Sequence, residues 1–285
     1  MISRMVRLDW IRALHGVGIW IALLLTVAVM AMAFSQYSTV EVFGGYPPAY
    51  FNAYQALLSG LGYSPDTFFF LVIPILAVLP NGDSLALDRE SGADGSFLVR
   101  AGWHGYLWGR FLGNATVAGA TVFVGLLISG IVASFLFPVA LPHYLGVAGH
   151  AAFTHQGVYG QEYQPFVWPA LFWHAPWLYV LLVMGVATIA TGVLAVIATV
   201  AALWIRRRVV VLVVAVAIFF AADMGGQLVG LRAWVPSEMV GNYLSNYTHA
   251  PAGILAYWIV PGLVMSAITW WRVRSHEWPH RREWQ

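Results

Sequence analysis

The chain has 285 residues, of which 60% are hydrophobic and 9% charged, with a mean hydropathy of +0.73. Soluble domains carry roughly a quarter charged residues, so the composition excludes an ordinary soluble protein and indicates one polytopic all-α membrane domain over 1–285. The formal net charge of +2 is too small to draw the chain to nucleic acid, and with no cysteine neither a disulfide framework nor a thiolate metal site can form.

All 14 basic residues are arginine. A P-loop needs a lysine on its phosphates and a Schiff-base enzyme needs one for its carbonyl substrate. The chain therefore has no nucleotide site of that kind, and ATP and Mg can drive it only through a partner polypeptide. No enzyme activity and no cofactor are expected in the chain itself.

The start, residues 2–14, sets Ile2, Met5, Val6, Trp10, Ile11 and Leu14 at near-helical spacing with Arg4, Arg7 and Arg12 between them. This pattern suits an amphipathic helix in the headgroup plane or the cytoplasmic start of the first span. The apolar run that follows is too long for a usual signal-peptide core and more spans come after it. It is read as a first transmembrane helix over 16–34. Tyr50, Phe51, Tyr54, Leu57, Leu58 and Leu61 then predict a short interfacial helix on the outer side. Ser64, Pro65 and Asp66 have the chemistry of a helix start.

The second span needs a length argument. From Thr67 to Leu79 the apolar stretch is only about 20 Å long, against a hydrocarbon core of about 30 Å. Running the helix over 65–85 closes the gap, with Asn81, Asp83 and Ser84 near the inner headgroups and a kink at Pro74 or Pro80. Asp88, Arg89, Glu90, Ser91, Gly92 and Asp94 form the densest charged patch, followed by Phe97, Leu98, Arg100, Trp103, Tyr106 and Trp108. Such a set fits either a short helix that docks on a partner or a solvated loop beside lipid-facing aromatics.

The third span, 111–137, is rich in glycine, alanine and serine, which predicts close packing on other helices. A long outer segment contains His143, His150, His155 and His174, without the HExxH spacing of a zinc site. Spans four, five and six follow over 176–204, 209–231 and 252–271. Six spans put both termini on one side. Thirteen of the 14 arginines then fall on the inner side and only Arg232 outside, which the positive-inside rule reads as N-in and C-in.

Asp223 lies within the fifth span. It would line a path or bind a cation with Gln227 one turn away, or be satisfied structurally by helix packing or a wet outer mouth. Asn114, near the start of the third span, is either part of such a path or an interhelical hydrogen-bonding group.

The stretch holding Pro74, Pro80, Asp83, Ser84, Asp88, Arg89, Ser91, Gly92, Leu98, Arg100, Tyr106 and Arg110 resembles the permease subunits of bacterial type 2 ABC (ATP-binding cassette) exporters. The six-helix layout is also similar. Arg110 stands where lysine is more usual, and Gly95, Gly102, Gly105 and Gly109 would weaken a continuous helix between Leu98 and Arg110. The resemblance implies a subunit of the bacterial cytoplasmic membrane, paired with an identical or related permease and driven by separate ATPase subunits. It further implies that Asp83, Ser84, Asp88, Arg89, Glu90, Ser91, Gly92, Leu98 and Arg100 couple to the ATPase. A proton- or ion-coupled carrier or channel centred on Asp223 is the alternative.

Overall fold

The computed structural model describes residues 2–43, 52–58, 60–61, 69–139, 171, 174–205, 207–231, 234–241 and 251–282. They form α1 (Ile2–His15), α2 (Val17–Phe43), α3 (Ala53–Leu58), α4 (Phe69–Val78), α5 (Ser84–Glu90), α6 (Asp94–Leu136), α7 (Pro176–Ala201), α8 (Arg208–Leu228), α9 (Pro236–Gly241) and α10 (Pro251–Arg282). There is no strand among the described residues.

Among the described residues, five stretches are long and apolar enough to cross a membrane: Val17–Gln36, Gly102–Leu136, Pro176–Ala201, Arg208–Leu228 and Gly253–Arg272. This is the build of a multi-pass membrane protein. They lie where hydropathy predicts the first, third, fourth, fifth and sixth spans. Two helices overrun those limits: α2 continues to Phe43 and α10 to Arg282.

The second expected span needs correction. A continuous helix over 65–85 does not form; the described helix is Phe69–Val78, about 15 Å long, and the chain turns through 79–83 before α5. Pro80 explains the break, because it has no N–H to continue the ladder and its ring crowds the preceding turn. The turn then closes through Gly82 N–H to the Val78 carbonyl and Ser84 N–H to the Asn81 carbonyl. A Cβ on Gly82 would stand 2.8 Å from the Val78 backbone, so the turn requires glycine. Pro74, by contrast, sits inside α4 without ending it. Residues 65–68, including the predicted start at Pro65 and Asp66, lie outside the described residues.

The third span also differs at its beginning. Helix α6 starts at Asp94 and not at Phe111, and bends once, at Gly102 (φ 65°, ψ 163°). Only glycine adopts that conformation without strain. The glycines between Leu98 and Arg110 therefore create one sharp joint at Gly102 and, beyond it, a surface on which another helix lies.

That surface organises the molecule. Helix α6 packs along α7, α1 and α2. A Cβ on Gly119 would be 3.0 Å from the Thr188 carbonyl, one on Gly192 3.1 Å from the Ala115 carbonyl, and one on Gly125 2.8 Å from Thr26. Small residues let backbones approach closely where lipid supplies no hydrophobic force between helices. Helix α1, separated from α2 by a bend at Gly16, lies on Gly109 and Gly113 through Met5 and Asp9. Met5, Asp9 and Ala13 are its buried residues, at the i, i+4, i+8 spacing of one helix face. The short helix α3 falls where an interfacial helix is predicted, and Ala56, Leu57 and Leu58 join the main core.

Candidate functional site

Among the described residues Arg110 is the largest side chain without solvent exposure, and its guanidinium bridges two acids from distant parts of the chain. Nη1 donates to Asp9 Oδ1 from α1, and Nη2 donates to Asp88 Oδ2 from α5. Asp88 is held twice more, by the Tyr106 hydroxyl at 2.8 Å and by Arg12 Nη1 at 2.8 Å. Local helix geometry prepares the meeting. Tyr106 and Arg110 are one turn apart on α6, as are Asp9 and Arg12 on α1.

Two acids and two arginines make the cluster formally neutral, so no charge remains uncompensated in a low-dielectric setting. Phe97 shields it: the Arg12 and Arg110 guanidinium carbons lie 5.1 and 5.8 Å from its ring centroid, and Tyr106 stacks on it at 6.2 Å. Two buried atoms, Asp9 Oδ2 and Arg110 Nε, have no hydrogen-bond partner among the described residues. Planar, multidentate arginine suits this position, since one ammonium could not reach both carboxylates with a fixed fork.

The rest of α5 is tied to other helices. Asp83 pairs with Arg208 Nε, Glu90 Oε1 accepts from the Arg208 backbone N–H at 3.0 Å, and Arg89 Nη1 donates to the Ala202 carbonyl. Asn114 joins a further chain of bonds. Its Oδ1 accepts from Asn81 Nδ2 at 2.6 Å and from Ser84 Oγ at 3.2 Å, while its Nδ2 donates to Thr199 Oγ1 at 2.8 Å. Helix α5 is thus clamped to α1 and α6 on one side and to α7 and α8 on the other. These clamps are made of ion pairs and hydrogen bonds that join one helix to another.

Of the residues expected to couple to a motor, Asp83, Ser84 and Asp88 turn inward into these clamps, and Arg89 is half-buried. Glu90, Ser91 and Gly92 face outward, together with Gly95 and Ser96. Leu98 and Arg100 belong to the first segment of α6, and their side chains lie outside the described residues.

Of the three expected path residues, Asp223 and Gln227 are brought together and Asn114 lies apart from them. Asn114 sits in the α5 clamp, whereas Asp223 is fifteen positions beyond Arg208, about 22 Å along α8. Asp223 is buried; Gln227 Nε2 donates to its Oδ2 at 2.9 Å and the Ser237 N–H donates to its Oδ1 at 2.9 Å. It thereby caps the start of α9.

Among the described residues no group of three His, Asp or Glu side chains could hold a metal ion. His143, His150, His155, Arg206 and Arg232 fall outside them, as do Asn242 and Asn246.

Sequence reasoning passed over Asp9 entirely. Its signal was present: an acid flanked at i−4 and i+4 by Met5 and Ala13, on the otherwise apolar face of an amphipathic helix, demands a buried cation. No protein-family model, curated protein or solved structure matches the chain.

Proposed function

We propose that the chain is the permease subunit of an ATP-driven ABC exporter of the bacterial cytoplasmic membrane, crossing it six times with both termini inside. Separate ATPase subunits bind ATP and Mg, and a second permease, identical or related, completes the path. The supporting observation is the double clamp on α5. The seven-residue α5, with Asp83 at its start, is ion-paired to α1, α6 and α8 at once and would act as a lever: a push on it moves three helices together. The absence of lysine agrees with a motor in another chain.

In this reading the ATPase touches the outward side of the lever, Glu90, Ser91, Gly92, Gly95 and Ser96. Asp83, Ser84 and Asp88 pass the displacement to the helices. Arg89 joins α5 to the end of α7. Leu98 and Arg100, on the segment before the Gly102 joint, extend the same contact. Exported substrates would be peptide, lipid-like or drug-like.

The test is co-purification from native membranes. Gly95→Arg combined with Ser96→Arg changes only outward positions, since a Cβ at Gly95 meets nothing within 4 Å, so the ATPase is expected to be lost while the thermal midpoint of the permease is kept. The competing carrier reading, centred on Asp223, makes the opposite forecast. If the chain purified alone moved solute down a proton gradient and Asp223→Asn stopped it, the permease assignment would be wrong.

A further inference from the structure

Helices α6, α7 and α10 leave between them a groove of about 710 Å³ whose end is reached by Trp10 of α1. We propose that it holds the acyl chains of an anionic phospholipid from the leaflet on the α1 side, with Arg7 on the phosphate. This site goes beyond the transport reading and does not depend on it.

The lining decides the chemistry of the buried part. It contains no charged residue. Its hydroxyls are spent on their own helices: Thr116 donates to the Leu112 carbonyl, Thr188 to that of Met184 and Ser266 to that of Gly262, each at 2.8 Å. With the hydroxyl protons spent inside the helices and the remaining lining apolar, the walls suit hydrocarbon.

The length of the groove matches one leaflet. The α6 wall runs from Phe111 to Phe123, about 18 Å at 1.5 Å per residue, against roughly 15 Å for half of a bilayer core. The groove therefore spans one leaflet. Its α10 wall already faces outward, since only 17% of that span's apolar window is buried.

Charge at the mouth selects the headgroup. Trp10 Nε1 donates to Thr116 Oγ1 at 3.3 Å, which fixes the indole at the groove's α1 end. Arg7 is one turn earlier on the same side of α1, and it is exposed. Arg12 points to the opposite side, towards Asp88. An amphipathic helix with Trp at the interface and Arg reaching outward is suited to anionic lipid.

The experiment uses the full chain in vesicles containing phosphatidylglycerol or phosphatidylcholine with a diazirine at the acyl terminus. After illumination, labelled peptides are mapped by mass spectrometry. With phosphatidylglycerol, the segments 185–196 and 259–266 should be labelled at least about fivefold above the exposed α8 positions Val213 and Ile218. Gly185→Leu with Gly262→Leu plugs the groove. A Cβ at Gly185 meets nothing within 4 Å and one at Gly262 stands 3.5 Å from Val193, so the pair should fold and lose the excess. Arg7→Gln should equalise the two lipids while leaving the groove labelled. Uniform labelling of α8 and α10 in the unaltered chain, equal labelling by both lipids, or a groove shielded from lipid by a second copy would each overturn the proposal.

Discussion

Replacing Arg110 by leucine removes the one cation that reaches both Asp9 and Asp88. The two acids are left in different situations. Asp88 keeps the Tyr106 hydroxyl and Arg12, whereas Asp9 keeps nothing among the described residues, with its side chain at 0% exposure. Breaking a buried pair from one side costs about 3–5 kcal/mol, because an uncompensated charge stays behind. Arg12→Ala gives the contrast. Its side chain is 32% exposed and Asp88 retains two partners, so the loss should be about 0.5–1 kcal/mol. Adding Asp9→Leu to Arg110→Leu removes the stranded charge and should recover several kcal/mol, the strong non-additivity expected of contacting groups. Equilibrium unfolding in mixed micelles, by titrating the fraction of denaturing detergent, measures these four chains and the single variant Asp9→Leu, which completes the cycle. The reasoning is refuted if Arg110→Leu lies within about 1 kcal/mol of the unaltered protein, or if the double variant is as unstable as the sum of its parts.

Gly113→Ala puts a methyl group onto the Asp9 carboxylate; overpacking of this kind costs about 1–3 kcal/mol, and hydrogen exchange over Ile2–His15 should accelerate as α1 lifts off α6. Gly102→Ala meets no atom within 4 Å, so its cost is backbone strain alone, about 1–3 kcal/mol. That loss, read in the same micelle titration, should persist for Gly102→Ser but vanish for a D-alanine introduced by semisynthesis. Asp223→Asn keeps an acceptor for the Ser237 N–H and should change stability little, while Asp223→Leu loses the cap and should cost about 1–2 kcal/mol. Equal losses for both would mean that charge, and not capping, is what the site requires.

Residue order carried much of the fold. Apolar runs mark the five long membrane-crossing helices found among the described residues, and small residues in the third span mark close packing. The charged patch was legible as unusual but not in its orientation. Asp83 and Asp88 were expected to meet water, since their neighbours in sequence are polar; they face inward because Arg208 and Arg110 lie 125 and 22 residues away along the chain. The second span failed for a related reason. A length requirement for crossing a bilayer says how many residues must be helical, but Pro80 and Gly82 impose a local turn that no length requirement can remove.

Membrane class and helix positions are consequences of composition and of short-range pattern, because hydropathy and backbone propensity are sums over neighbouring residues. Which charges stay in water and which become structural is another matter. Asp9 and Arg110 are 101 residues apart, and a buried acid is tolerable only beside a cation. Tertiary packing of α1 on the glycines of α6 creates that pair, and with it the rigid link from α5 to the rest of the bundle.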